Sequence, residues 1–401
     1  MLAGIYISVP FCRSKCTYCN FASGVFSAGQ MAGYAARVCA DMASFRQLAL
    51  QQGAAVPEPA DTIYLGGGTP SLLPPAELEK IFSALENEFG VAKETEITVE
   101  CAPGTLTDKV IEALLSCGVN RVSLGVQSFV DKEAASVARL HTREKILDDI
   151  ERLRGNGITN INVDLIAGLP HQTRESWAYS LEQAIAIEVP HVSVYMLEVD
   201  EDSRLGRELM AGGTKYHAHF VPDDDLTAEF YETACGRLNA AGVEQYEISN
   251  FSRAGFESRH NLKYWTRQPY LGFGVDAHSM LPAVDRAQGV ESWRFAATDS
   301  FDGFFTASET KATPVTSEQA MEESFFLGLR VNRGVSLDRL CEEFGDRLDD
   351  YNQVIDELIT SGLLVRVEDN LRLTPRGRML SNEVFERFIV RQHLLAVEGN
   401  Q

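Results

Sequence analysis

From residue 5 to about residue 280, short apolar runs alternate with longer helix-patterned stretches, and few folds accommodate that alternation. Residues 5–9, 62–65, 96–100, 121–124, 158–166 and 191–196 read as strands. Residues 76–88, 108–116, 144–156 and 173–187 read as amphipathic helices between them. Strand–helix–strand units of this kind build a parallel sheet with helices on its outside. About six such units make a partial (β/α)6 barrel, short of the eight that close one. The expected class is therefore α/β.

The residues with chemical potential gather where those strands end. Cys12, Cys16 and Cys19 follow the first strand, and Gly66-Gly67-Gly68-Thr69-Pro70 the second. Glu100 ends the third, Gln127 follows the fourth, and Asp164 lies near the end of the fifth. Barrels of this kind assemble their site from the C-terminal ends of the strands, so these positions are expected to meet.

Past residue 285 the pattern changes. Residues 318–330, 336–344 and 349–362 read as helices, 363–367 and 371–373 as a hairpin turning at Asp369-Asn370, and Thr374 as the cap of a last helix to about Phe388. Three helices and a hairpin outline a winged-helix-like unit. The expected division is a barrel with an extension over 1–285 and a small C-terminal domain over 286–401, in keeping with a length of 401 residues. Stretches 222–225 and 297–308 read as loops.

Charge narrows the partners. The chain has 57 acidic and 36 basic residues, a net charge of -21, and no basic run. Such a chain binds nucleic acid or anionic lipid poorly, because phosphate contacts dominate both affinities. No run of about 18 apolar residues offers a membrane span. Residues 1–12 lack the basic start of a signal peptide, so the expected compartment is the cytoplasm. Of eight cysteines, three fall between residues 12 and 19 and five are scattered, which is not a disulfide framework. The scattered five read as small buried apolar residues.

Cys12, Cys16 and Cys19 form C-x3-C-x2-C. Three thiolates on one compact loop suit a [4Fe–4S] cluster, and with no fourth cysteine in the loop one iron stays open to a small ligand. The competing reading, a structural zinc site, requires a fourth ligand that is not evident.

This loop, with Tyr18 before its third cysteine, resembles the signature of the radical SAM superfamily, and the resemblance covers almost the whole chain. It implies that S-adenosylmethionine (SAM) binds the open iron through its amino and carboxylate groups. One electron from the cluster would then cleave it to methionine and a 5′-deoxyadenosyl radical. It also implies a SAM site made of Tyr6, Tyr18, Gly66, Gly67, Gly68, Thr69, Glu100, Gln127, Arg139 and Asp164. Glycines allow the backbone to approach the ligand closely, an arginine suits a carboxylate, and carboxylates suit ribose hydroxyls. The competing readings are a surface salt bridge for Arg139 and a helix cap for Asp164.

Tyr6-Ile7-Ser8-Val9-Pro10-Phe11-Cys12 further resembles the coproporphyrinogen dehydrogenase (HemN) group and the related haem chaperone HemW group. Ser8 replaces the histidine usual there. Phe21 stands where the dehydrogenase has another cysteine, and the first cluster cysteine is already residue 12, without that group's long extension. Arg259-His260-Asn261-Leu262-Lys263-Tyr264-Trp265 carries H-N-x-x-Y-W, the mark of the chaperone group. The resemblance implies haem binding at His260, Asn261, Tyr264 and Trp265. Imidazole and tyrosinate are haem ligands, a tryptophan can stack on the macrocycle, and His260 and Tyr264 would share one helix face. The competing reading of His260 is an ordinary core network, and His217, His219 and His278 are lesser candidates.

Two functions follow from the resemblance. The first is a carrier that binds haem and hands it to apo-haem proteins, notably respiratory ones at the membrane, with the cluster and SAM in a regulatory role and a monomer–dimer switch tied to cluster loading. The second is an enzyme, the oxygen-independent oxidative decarboxylation of coproporphyrinogen III to protoporphyrinogen IX.

Overall fold

Six strands supply the body of the fold: β1 (Ala3–Val9), β2 (Ala60–Gly67), β3 (Val91–Cys101), β4 (Arg121–Gln127), β5 (Asn160–Ala167) and β6 (His191–Met196). In the computed structural model, which describes residues 2–286, 289–306 and 310–389, they pair in that order and all in parallel. Ile5, Ile7, Val9, Ile63, Leu65, Val122, Leu124, Ile161, Val163 and Leu165 are buried. Strands covered on both faces read as near-continuous apolar runs, which is why the sequence marks them clearly.

Helices α1 (Ala28–Gln51), α2 (Pro75–Phe89), α3 (Asp108–Ser116), α4 (Asp131–Ser136), α5 (Arg143–Gly155) and α6 (Arg174–Ala186) make the connections. After β6 come α7 (Arg204–Met210) and α8 (Asp224–Ala240). Helix α1 was not expected from the sequence; its alanines and glycines dilute the apolar period, and a Ser27–Gln30 capping box starts it. The expected loop at 222–225 is the start of α8: Asp223 accepts a hydrogen bond from the Leu226 amide, and Asp224 and Asp225 sit at the positive end of the helix dipole.

The parallel body does not close. Strands β7 (Glu244–Gln245) and β8 (Asn250–Ser252) add to the β6 edge; then, after α9 (Arg259–Trp265), β9 (Tyr270–Phe273), β10 (His278–Pro282), β11 (Val290–Ala296) and β12 (Lys311–Thr316) extend the β1 edge. Among the described residues the result is an open twelve-stranded sheet. It runs past residue 285, and a separate apolar core begins at Val315. Within 297–308, expected as loop, α10 (Phe301–Thr306) forms a helix, and residues 307–308 lie outside the described residues.

The C-terminal unit comprises α11 (Ser317–Gly328), β13 (Val335–Ser336), α12 (Leu337–Phe344), α13 (Asn352–Thr360), β14 (Leu364–Val367), β15 (Asn370–Leu373), α14 (Pro375–Met379) and α15 (Ser381–Glu386). Its core stacks Phe325 on Phe388 at 4.4 Å between ring centres. The expected single last helix is two, broken at Leu380.

Candidate functional site

The cysteine loop is clamped at its base. Cys12 N–H donates to the Gly24 carbonyl at 2.8 Å and Gly24 N–H to the Pro10 carbonyl at 2.9 Å. Phe11, fully buried, packs edge-on against Phe26 and Tyr34, with ring centres 5.5 and 5.2 Å away. From the second strand, Gly68 N–H donates to Val9 and Thr69 N–H to Phe11, at 2.8 and 2.7 Å. A Cβ on Gly68 would lie 2.7 Å from each of those carbonyl oxygens, so only glycine lets the two strand ends meet here. The tip is tied elsewhere: Ser14 Oγ donates to the Ala138 carbonyl at 3.0 Å, and Leu205 N–H to the Thr17 carbonyl at 2.8 Å.

All eight cysteines are free thiols. Cys101 is buried as expected, whereas Cys341 is exposed. Cys12, Cys16 and Cys19 line one cavity of about 700 Å³. Burial holds the Cys12 thiol above its ordinary value, opposed by hydrogen bonds from Ser23 and Thr69. Among the described residues, no three His, Cys, Asp or Glu side chains close on a single metal ion. A cubane places each thiolate on a different iron, so its three sulfurs stand wider apart.

Gly67, Gly68, Thr69, Tyr18, Glu100, Gln127, Arg139 and Asp164 line the same cavity, so these expected SAM residues converge. Tyr6 and Gly66 stand behind the wall: Tyr6 packs on Tyr64 at 6.1 Å between ring centres, and a Cβ on Gly66 would lie 2.8 Å from Glu100 Oε1. Glu100 accepts from Tyr64 OH at 2.9 Å and from Gly67 N–H at 3.2 Å. Asp164 accepts from Asn162 Nδ2 at 2.8 Å and Ser123 Oγ at 3.1 Å; it caps no helix. Arg139 is no surface ion pair either. Its nearest polar partner is Tyr18 OH at 3.5 Å, and among the described residues its buried Nε has none. A Cβ on Gly125 would meet Arg139 Nη2 at 3.1 Å, so that glycine leaves room for the guanidinium. An unpaired buried donor beside the cysteine loop fits a ligand carboxylate.

Burial, with Asp164 adding to it, pushes the Glu100 carboxyl up to about 7. In the unfolded chain the group ionises near ~4.3, so between that pH and 7 only the native state keeps the proton. Stability therefore falls as pH rises through this window, and Glu100→Gln should flatten that slope by on the order of 2 kcal/mol. Thermal melts of both proteins at about pH 5 and pH 8 check this.

Helix α9 lies at the opposite, N-terminal ends of the strands. The amides of Arg259 and His260 donate to the two carboxylate oxygens of Glu96, each at 3.0 Å. A Cβ on Gly4 would lie 2.9 Å from Lys263 Cδ, a measure of how closely the helix plugs the sheet. His260 and Tyr264 do share one face. Both imidazole nitrogens are engaged, Nδ1 with Thr62 Oγ1 at 2.9 Å and Nε2 with Tyr264 OH at 2.7 Å. Burial, with help from Lys263 and Arg121, pushes the imidazole down to about 3, so it is neutral. Ligation of haem iron by His260 would require breaking one of these bonds, so this conformation sets it in a core network. Trp265 faces away from the cysteine cavity and carries the Arg330 guanidinium 4.4 Å above its ring. Of the four motif residues only Asn261 lines the cavity. His260→Ala would orphan the buried Thr62 hydroxyl and open a void, at a cost of about 3 kcal/mol or more. Urea denaturation of the variant measures that loss.

His278 is exposed, and His217 pairs with His171 at 3.0 Å on the surface, near the exposed His219. Arg121, Asn162, Ser193 and Asn250 line the cavity and were not anticipated. Asn162 stands two positions before Asp164 in β5, so strand alternation puts both side chains on one face, a signal the sequence does carry. Arg330 and Arg378 reach it from the C-terminal unit.

Residues 6–184 match the family described as the radical SAM superfamily, and residues 315–380 match the HemN C-terminal domain. The chain is 34% identical over 387 residues to the "Heme chaperone HemW" of Bacillus subtilis, covering 96% of this chain and 98% of that one. It is 32% identical over 390 residues to the protein of the same name from Lactococcus lactis, covering 96% and 97%. Among solved structures it is similar to the coproporphyrinogen III oxidase HemN from Escherichia coli, a radical SAM enzyme. The TM-score is 0.80 and the identity 21%, covering 96% of this chain and 90% of that one, which shows a shared fold.

Proposed function

Because the chain belongs to the HemW family and carries a radical SAM domain, a membership that implies a [4Fe–4S] cluster and SAM, we propose that it is a haem carrier. It would deliver haem to apo-haem proteins, respiratory ones included. The observation that supports this reading best is one continuous cavity between the cysteine loop and the α9 floor, lined at one end by Cys12, Cys16 and Cys19 and at the other by Asn261.

Cys12, Cys16 and Cys19 would hold the cluster, which with SAM supplies one-electron chemistry when bound. Arg139 would take the SAM carboxylate through its unpaired Nε, with Tyr18 OH beside the guanidinium. The backbone of residues 66–69 would receive the amino group, and Glu100, Gln127 and Asp164 the remaining polar groups and the ribose. Tyr6, packed on Tyr64, would support that wall. Haem would enter from the cluster end, where Phe21 is 60% exposed beside the cavity. Asn261 would meet it directly, while His260, Tyr264 and Trp265 would shape the floor from behind. Among the described residues no helix is long and apolar enough to cross a membrane, so contact with a membrane-bound recipient would be made from the face of the bilayer.

The shared fold with HemN favours one alternative, decarboxylation of coproporphyrinogen III. Anaerobic reconstitution followed by separate addition of haem, or of coproporphyrinogen III with SAM and reductant, separates the two. The carrier retains haem stoichiometrically and makes no protoporphyrinogen; sustained protoporphyrinogen formation would sink the carrier reading.

A further inference from the structure

The cysteine cavity is lined by two guanidinium groups that, among the described residues, have no hydrogen-bond or ion-pair partner. Arg121 opens β4, is 2% exposed, and still contributes to the cavity wall. Its Nε is buried and unpaired, and among the described residues its side chain makes no hydrogen bond or ion pair. Asp164 is near enough to feel its charge but gives its oxygens to Asn162 and Ser123. Arg330, reaching in from the C-terminal unit, also has a buried, unpaired Nε and lines the same cavity. Trp265 supports it from behind. Glu247, its acidic neighbour, spends one oxygen on Ser249 and Asn250 and leaves the other unpartnered. A buried guanidinium is costly unless it is paired and hydrogen-bonded, so the buried Arg121, with the half-buried Arg330 and its unpaired Nε on the same cavity, points to an anionic occupant. Planar, forked donors match carboxylates best. Met196, Leu197, Ile248, Met379 and Leu380 line the same cavity and offer apolar contact. An occupant that is carboxylate-bearing at one end and apolar over a broad face meets both requirements.

We propose that Arg121 and Arg330 anchor the propionate carboxylates of a tetrapyrrole lying in this cavity with its apolar ring toward the cysteine loop. The inference rests on the haem-carrier reading and adds how the ligand is held and which way it points. Arg139, at the cluster end, would take the SAM carboxylate, so the two carboxylate sources have separate anchors.

Haem and its dimethyl ester, which lacks the free carboxylates, provide the test. Binding of each to the reconstituted protein is measured for wild type, Arg121→Met and Arg330→Met, with SAM binding measured alongside. Wild type should hold haem at least about tenfold more tightly than the ester, the least a charge-assisted hydrogen bond supplies. Each variant should lose about tenfold to a hundredfold in haem affinity, with ester and SAM affinities within about twofold of wild type. Arg121→Met should melt no lower than wild type, since it removes an unpaired buried charge. If that variant does not fold, Arg121→Lys, which keeps the charge without the fork, should show a smaller loss that is again specific to haem. Equal wild-type affinities for haem and ester would overturn the inference and leave the carrier reading standing. Loss of SAM binding in Arg121→Met would return Arg121 to the SAM site and overturn it equally. Failure of wild type to bind either tetrapyrrole would overturn the carrier reading and this inference together.

Discussion

Alanine at any one of Cys12, Cys16 or Cys19 should abolish the iron–sulfur absorption of the reconstituted protein and with it SAM binding, while the fold melts near the wild-type temperature. The loss is complete rather than graded because the loop offers three thiolates and no spare; a cluster already short of one protein ligand has nothing to substitute. The fold survives because the loop is held by its backbone and by Phe11, through the Cys12–Gly24, Gly24–Pro10 and Thr69–Phe11 hydrogen bonds, rather than by the thiols. Serine at Cys101 or Cys235, outside the loop, should leave iron content unchanged. Iron and sulfide analysis with circular dichroism melts reads both halves; a full cluster signal in Cys16→Ala would contradict the assignment.

Arg139→Ala should weaken SAM binding about a hundredfold, on the order of 3 kcal/mol, without loss of the cluster. Its guanidinium is held only loosely, by Tyr18 at 3.5 Å, and among the described residues its Nε faces no acceptor. Removing it therefore costs the protein few internal bonds and the ligand a charge-assisted one. Arg139→Lys should recover part of the affinity, because a point charge replaces the fork. Equilibrium dialysis of labelled SAM against reconstituted protein measures both; near-wild-type affinity in Arg139→Ala would move the carboxylate site elsewhere.

Much of this could be read from the chain. The strands from β1 to β6 were legible because burial on both faces leaves long apolar runs, and the residues at their C-terminal ends do gather round one cavity. The shared face of His260 and Tyr264 follows from their spacing, and they meet at 2.7 Å. What spacing does not carry is partnership across the fold. Thr62, 198 positions away in sequence, occupies the nitrogen of His260 that a ligand reading leaves free, and Arg330 takes the ring of Trp265. Arg121 sits in a strand otherwise read as apolar, and only the assembled sheet turns it into the cavity. Strands β7–β10 run only two to five residues, so their addition to both edges of the sheet is a tertiary fact with no local period behind it. The start of helix α8 reads as a loop for a different reason: Pro222 followed by three aspartates is a helix-start signal and a turn signal alike.

The central claim is that this protein carries haem rather than converts a porphyrinogen. Haem-loaded, cluster-containing protein mixed anaerobically with an apo-haem protein tests it most directly, with the Soret band of each partner followed after separation. The account predicts that haem leaves this chain and appears stoichiometrically in the recipient, with no change to the porphyrin itself. Haem that stays bound while coproporphyrinogen III, offered with SAM and reductant, is turned over to protoporphyrinogen IX would contradict it.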